Sequence, residues 1–247
     1  MNPNTIVKPY QEKVFQQDNI YCVYDGSQID DFSPEMLNSL YWLKQEAVEG
    51  TAHGRGTTWF IHHQENHWVL RHYFRGGMIG KFNRDRYLFH SLASTRAARE
   101  FSLLAKLQAL GLPAPKPVAY RIVRHGRFYQ ADLLTVRIEE AKDLVAILTQ
   151  QSIKEEIWYK IGASIRQFHD KGIYHHDLNA HNILLDNEQQ VWLIDFDRGE
   201  QRKVSRSWQE SNMSRLLRSF RKEKKKLPEF YWQEGNWQML MSGYQGQ

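Results

Sequence analysis

Asp177 and Asn182 stand five residues apart in GIYHHDLNAHNILLD (172–186), and Asp195 follows Asp177 by eighteen at the end of VWLIDFD. A carboxylate, an amide and a second carboxylate are the groups that phosphoryl transfer from ATP asks for. Asp177 is the candidate base that orients an attacking hydroxyl and takes its proton, and Asn182 and Asp195 are candidate oxygen ligands for Mg²⁺. The same chemistry needs a cation and backbone amides at the nucleotide phosphates. HGRGTTW supplies Gly54 and Gly56 in a turn ahead of an extended run. WVLR puts Val69 and Arg71 on one face of a strand, so that Val69 can roof the adenine while Arg71 reaches phosphate. Glu100 is the expected brace for Arg71, and Lys81 is a rival phosphate cation. An Asp and an Asn alone would also describe a surface turn. The trio His175, His176 and His181 would suit zinc, but that reading leaves Asp195 unexplained.

These residues need elements to hold them. TTWFIHH and HWVLRHYF, rich in β-branched and aromatic residues around QEN, predict a hairpin. A helix is predicted over 95–110, with Leu103, Leu104, Leu107 and Leu110 on one face, Gly111 as its stop and Glu100 inside it. LPAPKP (112–117) reads as a rigid extended connector, and a second hairpin is predicted from VAYRIV and RFYQADLL around RHG. Ile157, Ile161, Ile165 and Phe168 recur at helical spacing over 154–170, and Gly172 stands where a helix ends. The catalytic stretch comes next, followed by two short apolar runs, NILLD and VWLIDFD, that predict a small hairpin.

Composition narrows the partners. The 247 residues are 41% hydrophobic, enough to fill a core, and 33 Lys and Arg against 28 Asp and Glu give a net charge of +5. That balance favours anionic partners. One cysteine, Cys22, excludes an intramolecular disulfide framework and points to a reducing compartment. No export signal is visible at the N-terminus, and no apolar run approaches the roughly 18 residues of a membrane span, so membrane contact is expected to be peripheral. The basic run RSFRKEKKK (218–226) reads equally as the solvated side of a helix that buries Leu216, Leu217 and Phe220, or as a site for anionic headgroups. Arg71, Arg75, Lys81, Arg84 and Arg86 also crowd one segment, while Trp192, Trp208, Trp232 and Trp237 are expected in packing. No nucleic-acid recognition motif is present, and none of that chemistry is expected.

His175-X-Asp177 with Asn182, then Asp195-Phe196, resembles the catalytic loop and metal-binding motif of the protein-kinase-like superfamily. HHDLNAHNILLD, LIDFDRG and VLRHYFRGG further resemble the 3-deoxy-D-manno-octulosonic acid (Kdo) kinases of Gram-negative lipopolysaccharide assembly, over roughly residues 54–199. The resemblance implies an α+β, two-lobed kinase-like fold. The expected division is an N-lobe over 1–130, a hinge over 131–134 whose Asp132 and Leu133 backbone meets the adenine, and a C-lobe over 135–247, with the ATP cleft between the lobes. It further implies ATP and Mg²⁺ as cofactors, Kdo-lipid IVA as the anionic acceptor phosphorylated at its 4-hydroxyl, and a peripheral place on the cytoplasmic face of the inner membrane.

Departures from the protein-kinase pattern matter. The strand cation is Arg71 rather than Lys, His176 stands where many protein kinases carry the Arg that reads a phosphorylated loop, and Asp197 closes the metal motif in place of Gly. LPE (227–229) faintly echoes a protein-kinase signature, and only 18 residues follow it. That is too few for a peptide-docking subdomain, so a small or lipid-linked acceptor is expected. Another kinase of the superfamily and a silent binding module of the same fold remain as alternatives.

Overall fold

The computed structural model describes residues 10–53, 56–75 and 85–247. They form two compact units, Met1–Phe101 with Lys116–Arg137, and Ser102–Pro115 with Ile138–Gln247.

The first unit is built on an antiparallel sheet. Its strands are β1 (Glu12–Gln17), β2 (Ile20–Asp25), β3 (Val48–His53), β4 (Thr57–His63), β5 (Asn66–His72), β6 (Tyr87–Leu88), β7 (Pro117–His125) and β8 (Phe128–Val136). Their order is β1-β2-β7-β8-β5-β4-β3, with β6 pairing β8. The predicted hairpins are β4–β5 and β7–β8, and the first is in register from Thr58 opposite Arg71 to His63 opposite Asn66. Alternation along β5 sends Trp68 and Leu70 to one face, where they pack with Ile61 and Leu134 against Trp42, Met36 and Leu37. Those three come from a 3₁₀ turn, Pro34–Leu37, and a short helix α1 (Ser39–Lys44). Burying each such side chain stabilises the fold by about 1.5–3 kcal/mol. Trp42 Nε1 donates to Met36 O at 2.6 Å, so the largest of them buries no orphan donor.

The connection expected at residues 131–134 is corrected by this sheet. Asp132 and Leu133 lie inside β8, paired with His72 and Arg71 of β5 on one side and with Arg121 and Tyr120 of β7 on the other. A strand laddered on both edges has no backbone groups to offer an adenine. The boundary between the units falls after Arg137, past the end of the strand. Asp132 has structural work instead. Its carboxylate accepts from Arg121 Nε at 3.0 Å and lies 2.7 Å from His72 Nδ1, while the Arg121 fork also donates to Pro34 O and Leu37 O. That network ties the 3₁₀ turn to the sheet.

Helix α2 (Arg96–Ala109) carries Glu100, and the unit boundary falls within it. In the second unit, β9 (Lys142–Asp143) leads into α3 (Leu144–Leu148), whose N-terminus is capped by the Asp143 carboxylate accepting from Val145 N and Ala146 N. Helix α4 (Glu155–Asp170) buries Ile157, Ile161, Ile165 and Phe168, the predicted stripe. Gly172 follows it at φ +72°, and a Cβ there would lie 2.2 Å from Arg202 O, so glycine is required twice over. Strands β10 (Ile173–Tyr174) and β13 (Glu200–Gln201) pair, as do β11 (Ile183–Leu185) and β12 (Val191–Leu193), with β9 on the free edge of β11. Helices α5 (Arg206–Lys226) and α6 (Glu234–Gln245) close the unit.

Candidate active site

The loop from β10 to β11 is held by backbone bonds that pass through one buried imidazole. His175, 2% exposed, accepts from Asp177 N at Nδ1 (3.2 Å), while its Nε2 lies 2.9 Å from Ile194 O. Both bonds are satisfied by the neutral Nε2–H tautomer. Burial holds the His175 pKa below its ordinary value, against the opposing pull of the Ile194 carbonyl and of Asp195, so the neutral form is the one present. Phe196 seals the ring from one side and stacks on Phe168 of α4.

Around that pivot the predicted trio converges. Asn182 Nδ2 donates to Asp177 O at 2.9 Å, and Ile194 N donates to Asn182 O at 3.0 Å. These bonds set the base, the amide and the residue preceding Asp195 side by side. Asp195 itself has φ +61°, a left-handed conformation uncommon for a residue with a side chain, at the position expected to bind metal. The amide nitrogen of Asn182 is spent on the loop, which leaves its carbonyl oxygen as a ligand atom. With the Asp195 carboxylate this makes a donor set of hard oxygens, the kind Mg²⁺ takes.

Helix α5 supplies residues that the sequence did not single out. Asn212, buried, bridges both sides of His175, accepting from its N–H at 3.2 Å and donating to its carbonyl at 3.0 Å. Arg215 Nη1 lies 3.8 Å from Asp177 Oδ1, Ser219 Oγ accepts from Ala180 N at 3.0 Å, and Glu223 lies 3.8 Å from His181 Nε2. Positions 212, 215, 219 and 223 form one stripe at helical spacing, read against loop residues 175, 177, 180 and 181 in order. The signal was present as polar residues at i, i+3, i+7 and i+11, on a helix most of whose other polar positions face solvent.

The second group of predicted residues lies in the first unit. Arg71 Nη2 is ion-paired with Glu100, which is 2% exposed and also accepts from Tyr73 O–H at 2.5 Å. The Arg71 side chain keeps 26% of its surface. Val69 shares its face of β5 and is half-buried. Gly56 packs so closely that a Cβ would meet the Phe74 ring at 2.1 Å. Gly54 and Lys81 lie outside the described residues. The histidine trio does not gather: His175 is committed to the backbone and His181 faces Asp143 at 3.3 Å. Among the described residues the cluster with metal-ligand spacing is Glu49, His62 and His67, on β3, β4 and β5.

The sequence model of the lipopolysaccharide kinase (Kdo/WaaP) family matches residues 39–244. The chain is 46% identical over 241 residues to a 3-deoxy-D-manno-octulosonic acid kinase of Haemophilus influenzae (strain PittGG), covering 93% of this chain and 98% of that protein. It is 44% identical over 230 residues to the enzyme of the same name from Photobacterium damsela subsp. piscicida (92% and 95%), and 41% identical over 237 residues to that from Vibrio vulnificus (strain YJ016) (96% and 99%).

Proposed function

Because the chain belongs to the lipopolysaccharide kinase (Kdo/WaaP) family, we propose that it transfers the γ-phosphoryl group of ATP to the 4-hydroxyl of the Kdo sugar of Kdo-lipid IVA. The observation that carries this reading is the likeness, over nearly the whole chain, to kinases of a sugar acid, supported by a loop in which Asn182 bonds the Asp177 carbonyl and the strand end just before Asp195.

The chemistry follows from what each residue presents. Asp177 keeps its side chain clear of the backbone network and 43% exposed, able to accept a hydrogen bond from an incoming hydroxyl. As the hydroxyl oxygen forms its bond to the γ-phosphorus, its proton passes to an Asp177 oxygen. The bond from phosphorus to the bridging oxygen breaks, and ADP leaves with the electron pair. Asn182 and Asp195 are the residues that would hold Mg²⁺, and the ion when bound would offset phosphate charge. Arg71, fixed by buried Glu100, offers a planar fork suited to phosphate oxygens.

The acceptor is a lipid, and no helix among the described residues is long and apolar enough to cross a membrane. We infer that the protein meets its acceptor as a peripheral protein on the cytoplasmic face of the inner membrane. Arg218, Lys222, Lys225 and Lys226 line an exposed side of α5 and supply attraction to anionic headgroups of about 1 kcal/mol each near the surface. Flotation with phosphatidylglycerol vesicles at low salt is expected, with release at high salt. Equal binding to neutral vesicles would count against this placement.

The activity test follows label from γ-labelled ATP with Mg²⁺ and Kdo-lipid IVA, beside Asp177→Asn and a casein control. Label on the lipid, lost in the variant, supports the reading, and label on casein alone overturns it.

A further inference from the structure

A kinase of a sugar acid has an electrostatic problem that a kinase of neutral alcohols does not. Its acceptor brings a carboxylate into a site whose base is a carboxylate, and like charges at short range oppose binding. A cation held close to the base is needed. Among the described residues one cation lies within 4 Å of Asp177, and it is Arg215, with Nη1 at 3.8 Å from Oδ1.

Three features make Arg215 more than a neighbour. At 3.8 Å it is too far to hydrogen-bond Asp177, so its guanidinium offsets charge there without occupying the oxygen that must accept a proton. It makes no hydrogen bond among the described residues, and its Nε is sealed from water without an acceptor. Its side chain is nevertheless 40% exposed, so the fork is accessible from solvent. Finally, its position is fixed to the base rather than to the surface. Asn212, one turn before it, is bonded to both sides of His175, and Ser219, one turn after it, accepts from Ala180 N at 3.0 Å. A loop and a helix pinned at two points hold the guanidinium and the carboxylate in one frame, which lowers the ordering cost of binding.

Resting on the reading of the site as a Kdo kinase, we propose that Arg215 is the specificity-determining residue for the acceptor: its fork takes the sugar carboxylate and thereby sets the 4-hydroxyl, two ring carbons from the carbon that bears the carboxylate, against Asp177. The planar, bidentate match between guanidinium and carboxylate supplies orientation as well as charge, which a lysine at the same position does not reproduce.

The test compares Kdo-lipid IVA with an analogue whose sugar carboxylate has been converted to the primary amide, using wild type, Arg215→Ala and Arg215→Lys. Steady-state constants are measured for acceptor and for ATP. Wild type is expected to lose roughly 10- to 100-fold in kcat/KM on the amide, the worth of a charged hydrogen-bonded contact. Arg215→Ala should lose a similar factor on the acid, chiefly through KM for the acceptor, and should no longer distinguish acid from amide. Arg215→Lys should fall between, and KM for ATP should stay constant in all three. A thermal melt confirms that the variants fold, since the side chain holds no hydrogen bond that the fold relies on.

The proposal is overturned if Arg215→Ala keeps the wild-type ratio between acid and amide. It is also overturned if the variant lowers kcat equally on both acceptors while raising KM for ATP, because the arginine then serves the transferring phosphoryl group. A third arm uses acceptor stripped of its lipid phosphates. If the arginine-dependent discrimination vanishes with the phosphates, the anion recognised is a phosphate and the carboxylate assignment fails. Absence of any transfer by the wild type to the acid would instead sink the Kdo kinase reading itself and the inference with it.

Discussion

Asp177 makes its backbone, and not its side chain, part of the structure. Its N–H is spent on His175 and its carbonyl on Asn182, while the carboxylate has the Arg215 guanidinium 3.8 Å away. Asp177→Asn therefore removes the base and nothing the fold depends on. Turnover should drop by about 10²- to 10⁴-fold, the usual worth of a general base, with stability changed by less than about 0.5 kcal/mol. Thermal denaturation and labelled-phosphate transfer on the same preparation check both halves. A variant that lost activity together with several kcal/mol of stability would show that Asp177 is structural. Asp195→Asn should also lose turnover, and its backbone is kept, because Asn is among the residues that tolerate the left-handed φ of +61° found there. Glu100 is a different kind of residue. It is sealed from water between Arg71 and Tyr73, and its charge is held by both.

At the scale of elements, the loop is only as rigid as the helices behind it, and α4 and α6 cross through glycine. A Cβ on Gly162 would lie 1.9 Å from Leu240 O and 2.6 Å from Tyr244 N, and one on Gly243 would lie 2.1 Å from Tyr159 O. Backbone atoms cannot yield as a side-chain tip can. Gly162→Ala should therefore push the helices apart at a cost of about 1–3 kcal/mol, in spite of alanine's better helix propensity. Urea denaturation measures it, and a variant as stable as wild type would mean that the crossing has room for a methyl group. Helix α4 was legible in the sequence because Ile157, Ile161, Ile165 and Phe168 mark one face, and the β4–β5 hairpin because its apolar and aromatic residues alternate. The connection at 131–134 was misplaced because ADLL is a fully buried run, and a buried strand has no polar alternation to distinguish it from an apolar linker. The layer of α1 and the 3₁₀ turn escaped for want of length, since elements of six and four residues carry no periodicity. The candidate trio was readable as a pattern because Asp177 and Asn182 share the loop between β10 and β11 and Asp195 follows the short hairpin after it, so the three lie close along the chain. Asn212, Arg215 and Ser219 were not, because polar residues on a helix normally face water and only the fold turns this stripe inward.

For the molecule as a whole, the two units carry histidines, one half-buried and the other buried, whose protons pull in opposite directions. In the second unit, burial pushes His169 down to about 4, consistent with a neutral ring whose Nδ1 lies 2.7 Å from Tyr244 O–H. The unfolded chain takes up a proton near pH 6.5 while the folded one resists until about 4, so stability present above 6.5 drains away as pH falls through that window. The span corresponds to about 3 kcal/mol at most, and His175, also lowered by burial, adds in the same sense. In the first unit, burial opposes the charge on His72, but the hydrogen bond and charge of Asp132, with Asp85 behind, outweigh it and raise the pKa. Stability from His72 is complete below pH 6.5 and is lost as pH rises through the raised value. Acid should thus weaken the unit that holds the catalytic loop, and base the unit that holds Arg71. Melting temperatures from pH 4.5 to 8.5 test this with two variants. His169→Gln should flatten the acid limb and leave the alkaline one, while His72→Gln should do the reverse. If either variant flattened both limbs, or neither, these two histidines would not be the groups through which pH acts on the fold.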